Sequence, residues 1–290
     1  IYILSYFIDN YVRHYWYYQQ KDYAKALKIY EDAETRWPIQ FSRSPATVFN
    51  MAEIFFRQKK YPQARARYFQ LINLNPDESM AHKALNRVGD SYLIDGKYMA
   101  ALSVFDESAK RKPGSHESQY GTLRMADIGV RDSTLPLRDM IFNLTPYYQP
   151  FKTYAQVFKD AVDVEILSEA TLSLGIAYLH EQRYLESIRE FKKLLPLGQD
   201  SKYYQEAQKY IKQALVLLVD RFSRQTGNLP ILYTFTDYQS LSLGEIDNIK
   251  TLLQIGEAYQ AISMHQEAAK YYEKVKKLDL NGVYTDRIFL

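Results

Sequence analysis

The chain has 290 residues, of which 47% are hydrophobic and 24% charged, with no cysteine and 27 tyrosines. This is an ordinary globular composition. It excludes a wholly disordered or collagen-like chain, and 11 glycines and 10 prolines are too few for the many tight turns of an all-β protein. The 37 basic and 34 acidic residues are mixed along the chain, a net +3, so no field of the kind that marks nucleic-acid binding is expected.

The lack of cysteine excludes disulfides, zinc–cysteine sites and thiol catalysis. The chain opens Ile1-Tyr2-Ile3 without methionine, which reads as a fragment or processed product, and no signal peptide is recognisable. The longest apolar runs, residues 1–4 and 214–219, fall far short of the roughly 20 needed for a membrane span.

Five stretches share one internal spacing. In chain order, the first holds Tyr17, Ala26, Tyr30, Ala33 and Pro38, and the second Ala52, Phe55, Ala64, Tyr68, Leu71 and Pro76. The third holds Gly89, Tyr92, Ala101, Phe105, Ser108 and Pro113. Gly175, Tyr178, Ser187, Phe191 and Leu194 form a fourth, and Gly256, Tyr259, Ala268, Tyr272 and Val275 a fifth, both without the proline. Residues three and four apart share a helix face. A small residue there lets two helices approach, and the aromatic fills the space beside it. Residues 58–62 and 95–98 read as turns between antiparallel helices, with Pro62 at a helix start.

This spacing resembles the tetratricopeptide repeat, whose helix–turn–helix unit carries a small residue, a Tyr, an Ala, an aromatic and a Pro in that order. The resemblance covers residues 7–113, 168–197 and 249–280. It implies an all-α, right-handed superhelix of six to seven antiparallel helix pairs, an α-solenoid. Ala26 to Ala64 is 38 residues and Ala64 to Ala101 is 37, longer than the family's usual 34 or so. Ala101 to Ser187 is 86 and Ser187 to Ala268 is 81, so each longer gap has room for one degenerate pair. In the first gap, residues 118–130 and 151–161 read as helices around a proline-broken stretch at 135–150. In the second, residues 203–224 read as one long helix, and 226–243, with Gly227 and Pro230, as an irregular loop. The expected division is a repeat array at 1–131, a connector at 132–165 and a second array at 166–290.

Signatures of catalysis are missing. His14, His82, His116, His180 and His265 are scattered, and His180-Glu181 lacks the later histidine of a zinc-protease motif. Neither a phosphate-binding glycine loop nor a Gly-x-Ser-x-Gly elbow occurs. No enzyme activity, cofactor or metal is expected. The basic runs at 57–67 and 110–112 read as solvated helix faces and helix ends.

In the family, the first helix of each pair lines a concave groove. Carried onto this chain, the groove positions include Tyr11, Tyr15 and Tyr18 in the first repeat, Phe49, Glu53 and Phe56 in the second, and Lys83, Asn86 and Asp90 in the third. Exposed aromatics in a groove suit a peptide or helix anchor. The other reading of Tyr11, Tyr15 and Tyr18 is that they pack against an upstream helix. Some family members grip an acidic C-terminal tail with a carboxylate clamp. Asn50, Lys83 and Arg87 match its second and third repeats, whereas Tyr11 and Tyr15 replace the Lys and Asn of the first. Lys83 and Arg87 lie one helical turn apart and are expected to be exposed and to converge on one acidic group.

The resemblance therefore implies a non-catalytic scaffold that binds another protein or peptide, as part of a multiprotein complex and without nucleic acid. The period and the tyrosine-rich repeats are similar to those of bacterial cell-envelope scaffolds, which favours periplasm or envelope over cytoplasm. The alternative is the non-catalytic repeat region of a larger cell-wall or polysaccharide-processing enzyme.

Overall fold

A computed structural model describes residues 16–74, 79–135, 144–225, 227–241 and 243–284, and the regular secondary structure among them is helical. The chain divides into two compact units, residues 1–166 and 167–290. The first contains α1 (residues 16–19), α2 (Tyr23–Arg36), α3 (Pro38–Ser42), α4 (Pro45–Arg57), α5 (Tyr61–Leu74) and α6 (Ser79–Ile94). It continues with α7 (Tyr98–Arg111), α8 (His116–Arg131), α9 (Thr145–Tyr148) and α10 (Pro150–Asp160). The second contains most of α11 (Val164–His180), then α12 (Tyr184–Lys192), a 3-10 turn (Leu195–Leu197), α13 (Lys202–Gln225), α14 (Asn228–Gln239), α15 (Ile249–Ala261) and α16 (His265–Leu278).

The five sequence series share one turn. At the end of each first helix the signature aromatic's carbonyl accepts the N–H five residues on, in Asp22→Tyr17, Lys60→Phe55, Lys97→Tyr92, Arg183→Tyr178 and Met264→Tyr259, all between 2.8 and 3.0 Å. The residue before each donor is left-handed: Lys21, Lys59, Gly96, Gln182 and Ser263 have φ from 58 to 70°. This is the six-to-one bond of a Schellman helix end. It stops the first helix and turns the chain back for the second. Pro62 is the second residue of α5, where its missing N–H removes no helical bond.

The helix pairs close through the spacing read from sequence. A Cβ added at Gly89 would fall 2.5 Å from the Phe105 ring, and one at Gly175 would fall 2.4 Å from Phe191. No side chain fits there without moving the ring.

In the first unit α4, α6 and α8 lie side by side, and α5 and α7 alternate with them. One apolar cluster spans α2 to α6, with Tyr30, Phe41, Met51, Ile54, Tyr68 and Leu71 fully buried. A second gathers Phe105, Met125, Ile128 and Tyr147. The 38-residue first interval is explained by α3, a turn of helix between the pairs that buries Phe41. In the second unit a single cluster runs from Ile188 to Val275. The long helix read at 203–224 is α13, and the helices read at 118–130 and 151–161 are α8 and α10.

Two sequence readings need correction. Residues 228–239 are helical, not an irregular loop. Pro230 stands in the first turn of α14, where no N–H would be bonded within the helix. Ile231, Leu232, Phe235 and Tyr238 fall on one face and are buried, and that burial overrides the weak helix preference of the segment's β-branched and aromatic residues. The basic run at 57–67 is also less solvated than expected. Arg65 is buried, pairs with Asp95 at 2.8 Å and lies 4.6 Å over the Tyr92 ring, while Arg67 forks onto Glu34.

Prolines mark helix starts in the broken stretch as well, since Pro146 and Pro150 open α9 and α10. Residues 136–143 lie outside the described residues. Tyr147 is buried there. Its hydroxyl donates to the Asp132 carbonyl at 2.7 Å, and its own carbonyl oxygen lies 2.0 Å from where a Cβ on Gly129 would be.

Candidate functional site

The first helices of unit 1 meet through charge. Arg87 on α6 reaches back to α4, where its Nε and Nη2 donate to the two oxygens of Glu53, both at 2.8 Å. The Tyr68 hydroxyl of α5 donates to the same carboxylate at 2.5 Å. One turn along α6, Asp90 accepts the Tyr120 hydroxyl of α8 at 3.0 and 3.1 Å and stands 3.5 Å from Arg87. Arg124, 4.6 Å over the Tyr120 ring, donates to Asp127 at 2.5 Å, and the Tyr154 hydroxyl of α10 donates to Asp127 at 2.8 Å. Glu53, Asp90 and Asp127 are 3, 9 and 8% exposed. The result is a seam of alternating charge whose buried acids are held by guanidinium and phenol donors, as buried charge requires.

The seam sets the titration of its members. Burial works to raise the Glu53 pKa, but the Arg87 hydrogen bonds and charge, with the Tyr68 hydroxyl, together hold it below the usual glutamate range. At Asp90 burial wins and the carboxyl is pushed up, against the opposing charges of Arg124 and Arg87. Burial is also the main cause that raises Tyr120, to about 12, and that raises Tyr68. The phenols therefore remain donors.

Several expected groove residues belong to this interior. Glu53 and Asp90 are seam members. Phe49 is buried 5.8 Å from the Tyr68 ring, and buried Asn86 donates its amide to the Glu117 carbonyl at 2.9 Å. Phe56, half-buried, lies 4.7 Å under the Arg87 guanidinium and edge-on to Tyr61. Tyr18 is half-buried edge-on to Tyr23, and its phenol is raised by burial, then by the charge of Glu53. Tyr11 and Tyr15 lie outside the described residues.

The expectation that Lys83 and Arg87 are both exposed and converge is corrected, because Glu53 and Asp90 hold the Arg87 guanidinium inward. Lys83 is exposed, has no ion pair among the described residues, and carries its ammonium 5.7 Å from the Phe49 ring. Asn50 sits half-buried on α4. The matched clamp positions therefore present one solvent-facing cation at Lys83, not two.

Sequence reasoning missed the seam, although its period was legible. Glu53, Asp90 and Asp127 recur every 37 residues, and Arg87 and Arg124 are also 37 apart. Among the described residues no group of three or more histidines or carboxylates could hold a metal ion, and no helix is long and apolar enough to cross a membrane.

Residues 17–88 and 249–281 each match the tetratricopeptide repeat family. No curated protein sequence matches the chain. Among solved structures, a tetratricopeptide repeat protein from Parabacteroides merdae is similar at TM-score 0.54 and 14% identity, with 97% of this chain and 96% of that one covered. The C-terminal part of a repeat-containing protein from Cytophaga hutchinsonii is similar at 0.59 and 13%, with 96% and 98% covered. The apo form of the quorum sensor NprR from B. thuringiensis is similar at 0.50 and 14%, with 93% and 75% covered. At such identities the likeness is one of fold. Family matches in both units place tetratricopeptide repeats at residues 17–88 and 249–281, and the Schellman turn shared by five helix pairs and these fold relatives extend the same fold along the chain.

Proposed function

We propose that the chain is a non-catalytic scaffold that holds a segment of a partner protein against the face shared by α4, α6 and α8. The repeat architecture is in general that of a protein-interaction scaffold. One observation supports this face. The seam uses up Glu53, Arg87 and Asp90 internally but leaves Lys83 exposed beside the Phe49 ring, with Asn50 half-buried on the neighbouring helix. A cation over an aromatic suits a partner that presents a carboxylate next to apolar surface. Membership of a multiprotein complex, and a place for it in a bacterial envelope, belong to the same proposal and rest on the repeat character alone.

The test is affinity capture with the whole chain, wild type against Lys83→Glu, with partners quantified by mass spectrometry. Lys83→Glu is expected to reduce recovery of a specific partner by about tenfold, a loss above 1 kcal/mol, without lowering the thermal midpoint. Lys202→Glu, exposed in unit 2, should retain the partner. Unchanged recovery with Lys83→Glu would overturn the assignment of this face.

A further inference from the structure

The second unit holds an open cavity between its second helices α12 and α14. Its cause is a short helix. α12 spans nine residues where α5, α7 and α16 each span 14. Because α12 stops early, it and α14 both pack on α13, and the Lys192–Asp237 ion pair bridges the gap between them at 2.6 Å.

The gap holds a cavity of about 390 Å³, within the range of real binding pockets. Ile211 and Leu215 of α13 form its floor, each 1% exposed, with Ile188 of α12 on one wall. Leu185 and Tyr233 line the cavity yet are 54 and 76% exposed. Single exposed apolar residues need no explanation. Two that flank the same apolar-floored opening do, since such a patch marks an interaction site.

The rim carries charge. Arg189 is exposed and has no ion pair among the described residues. Lys192 pairs with Asp237, itself 60% exposed at its side chain, and surface pairs of this kind open readily. The opening is thus an apolar slot with two cations and one carboxylate at its lip. Its exposed flanks would not enclose a small molecule, which pockets bury by roughly 70–90%. They suit a chain that lays one large side chain into the slot and continues across the rim.

We infer that this cavity binds a segment of a partner protein that inserts a bulky apolar side chain flanked by acidic residues, and that Arg189 and Lys192 select the acidic flank. The site is independent of the α4–α6–α8 face and stands or falls separately.

The test uses the full chain and two short synthetic peptides, each with a central Trp-Leu pair, one flanked by glutamates and the other by lysines, followed by fluorescence anisotropy. The glutamate peptide is expected to bind at least about tenfold more tightly than the lysine peptide. Arg189→Glu should remove or reverse that preference. Thr234→Trp, which fills the slot, should abolish binding of both peptides, with circular dichroism checking the fold. Tyr233→Ala, at an exposed position where misfolding is not expected, should weaken the glutamate peptide. Equal binding of the two peptides, or binding that survives both Thr234→Trp and Tyr233→Ala, would overturn the inference. So would sedimentation showing a dimer that Tyr233→Ala dissociates, since the cavity would then belong to a second copy of the chain.

Discussion

In unit 1 the first helices meet through almost wholly buried carboxylates that half-buried guanidiniums hold. In unit 2 the facing helices α13 and α15 meet through Leu215, Leu218, Leu252, Leu253 and Ile255, and the polar counterpart lies at the edge. There Asp220, 23% exposed at its side chain, accepts from Lys250 and Gln254 of α15 and from Arg224 of its own helix. Glu169, a buried acid of unit 2, accepts the Tyr203 hydroxyl at 3.0 Å, the kind of phenol donor seen in unit 1. The same turn and the same glycine–aromatic joint thus support two kinds of interface. The joint fixes how close two helices lie. What fills the next interface is free to vary, and a buried ion pair there adds directional register more than stability.

Where the units agree, breaking the joint should cost the most. Gly89→Leu and Gly175→Leu should each destabilise their own unit by about 3 kcal/mol through overpacking against Phe105 and Phe191. Denaturation read by hydrogen exchange in each unit checks this, and a neutral result at either site would break the equivalence of the joints.

Where they differ, Glu53→Ala should cost about 2–3 kcal/mol, because it leaves Arg87 with only the longer Asp90 contact. Tyr68→Phe should cost about 1 kcal/mol, the value of one hydrogen bond. Asp220→Asn, at the more exposed cluster of unit 2, should cost below about 1 kcal/mol. Equal losses at Glu53 and Asp220 in urea titrations would erase the distinction between the units.

Acid sharpens the contrast. Glu53 has a folded pKa below its usual 4.5, so its contribution is full above that value and is lost as pH falls through the folded value. Asp90 is raised above its usual 3.8, so its charged form is penalised in the fold and protonation relieves the penalty as pH falls. On acidification unit 1 should first gain slightly and then lose stability. Urea midpoints across the acid range, wild type against Glu53→Gln, should show the late loss vanish in the variant.

The fold was largely legible because the small and aromatic positions that read as repeats are the ones that close each helix pair. Gly89 against Phe105 is the sequence signature expressed as a distance. α14 was not legible, because its β-branched and aromatic run and its Pro230 mimic a loop until the buried face of Ile231, Leu232, Phe235 and Tyr238 is seen. The candidate site was half legible. Charged residues at family groove positions read as exposed, but a partner for Arg87 lies 34 residues back in the chain, a distance no local pattern reveals. The tyrosine excess resolves in the same way, since Tyr30, Tyr68, Tyr147 and Tyr154 are among the largest fully buried side chains.

The equal spacing of Glu53, Asp90 and Asp127 has a consequence for editing the chain. Arg87 answers the acid of the preceding repeat, and Arg124, one period on, acts on Asp90 through its charge while bonding Asp127 of its own helix. Excising the 37 residues 74–110 would bring Arg124 to the place of Arg87 and Asp127 to that of Asp90. A cut out of step with this period would put a residue of another register opposite Glu53. The gene can thus remove this one period without orphaning Glu53, and the seam works as a ruler that tells a permitted cut from a damaging one.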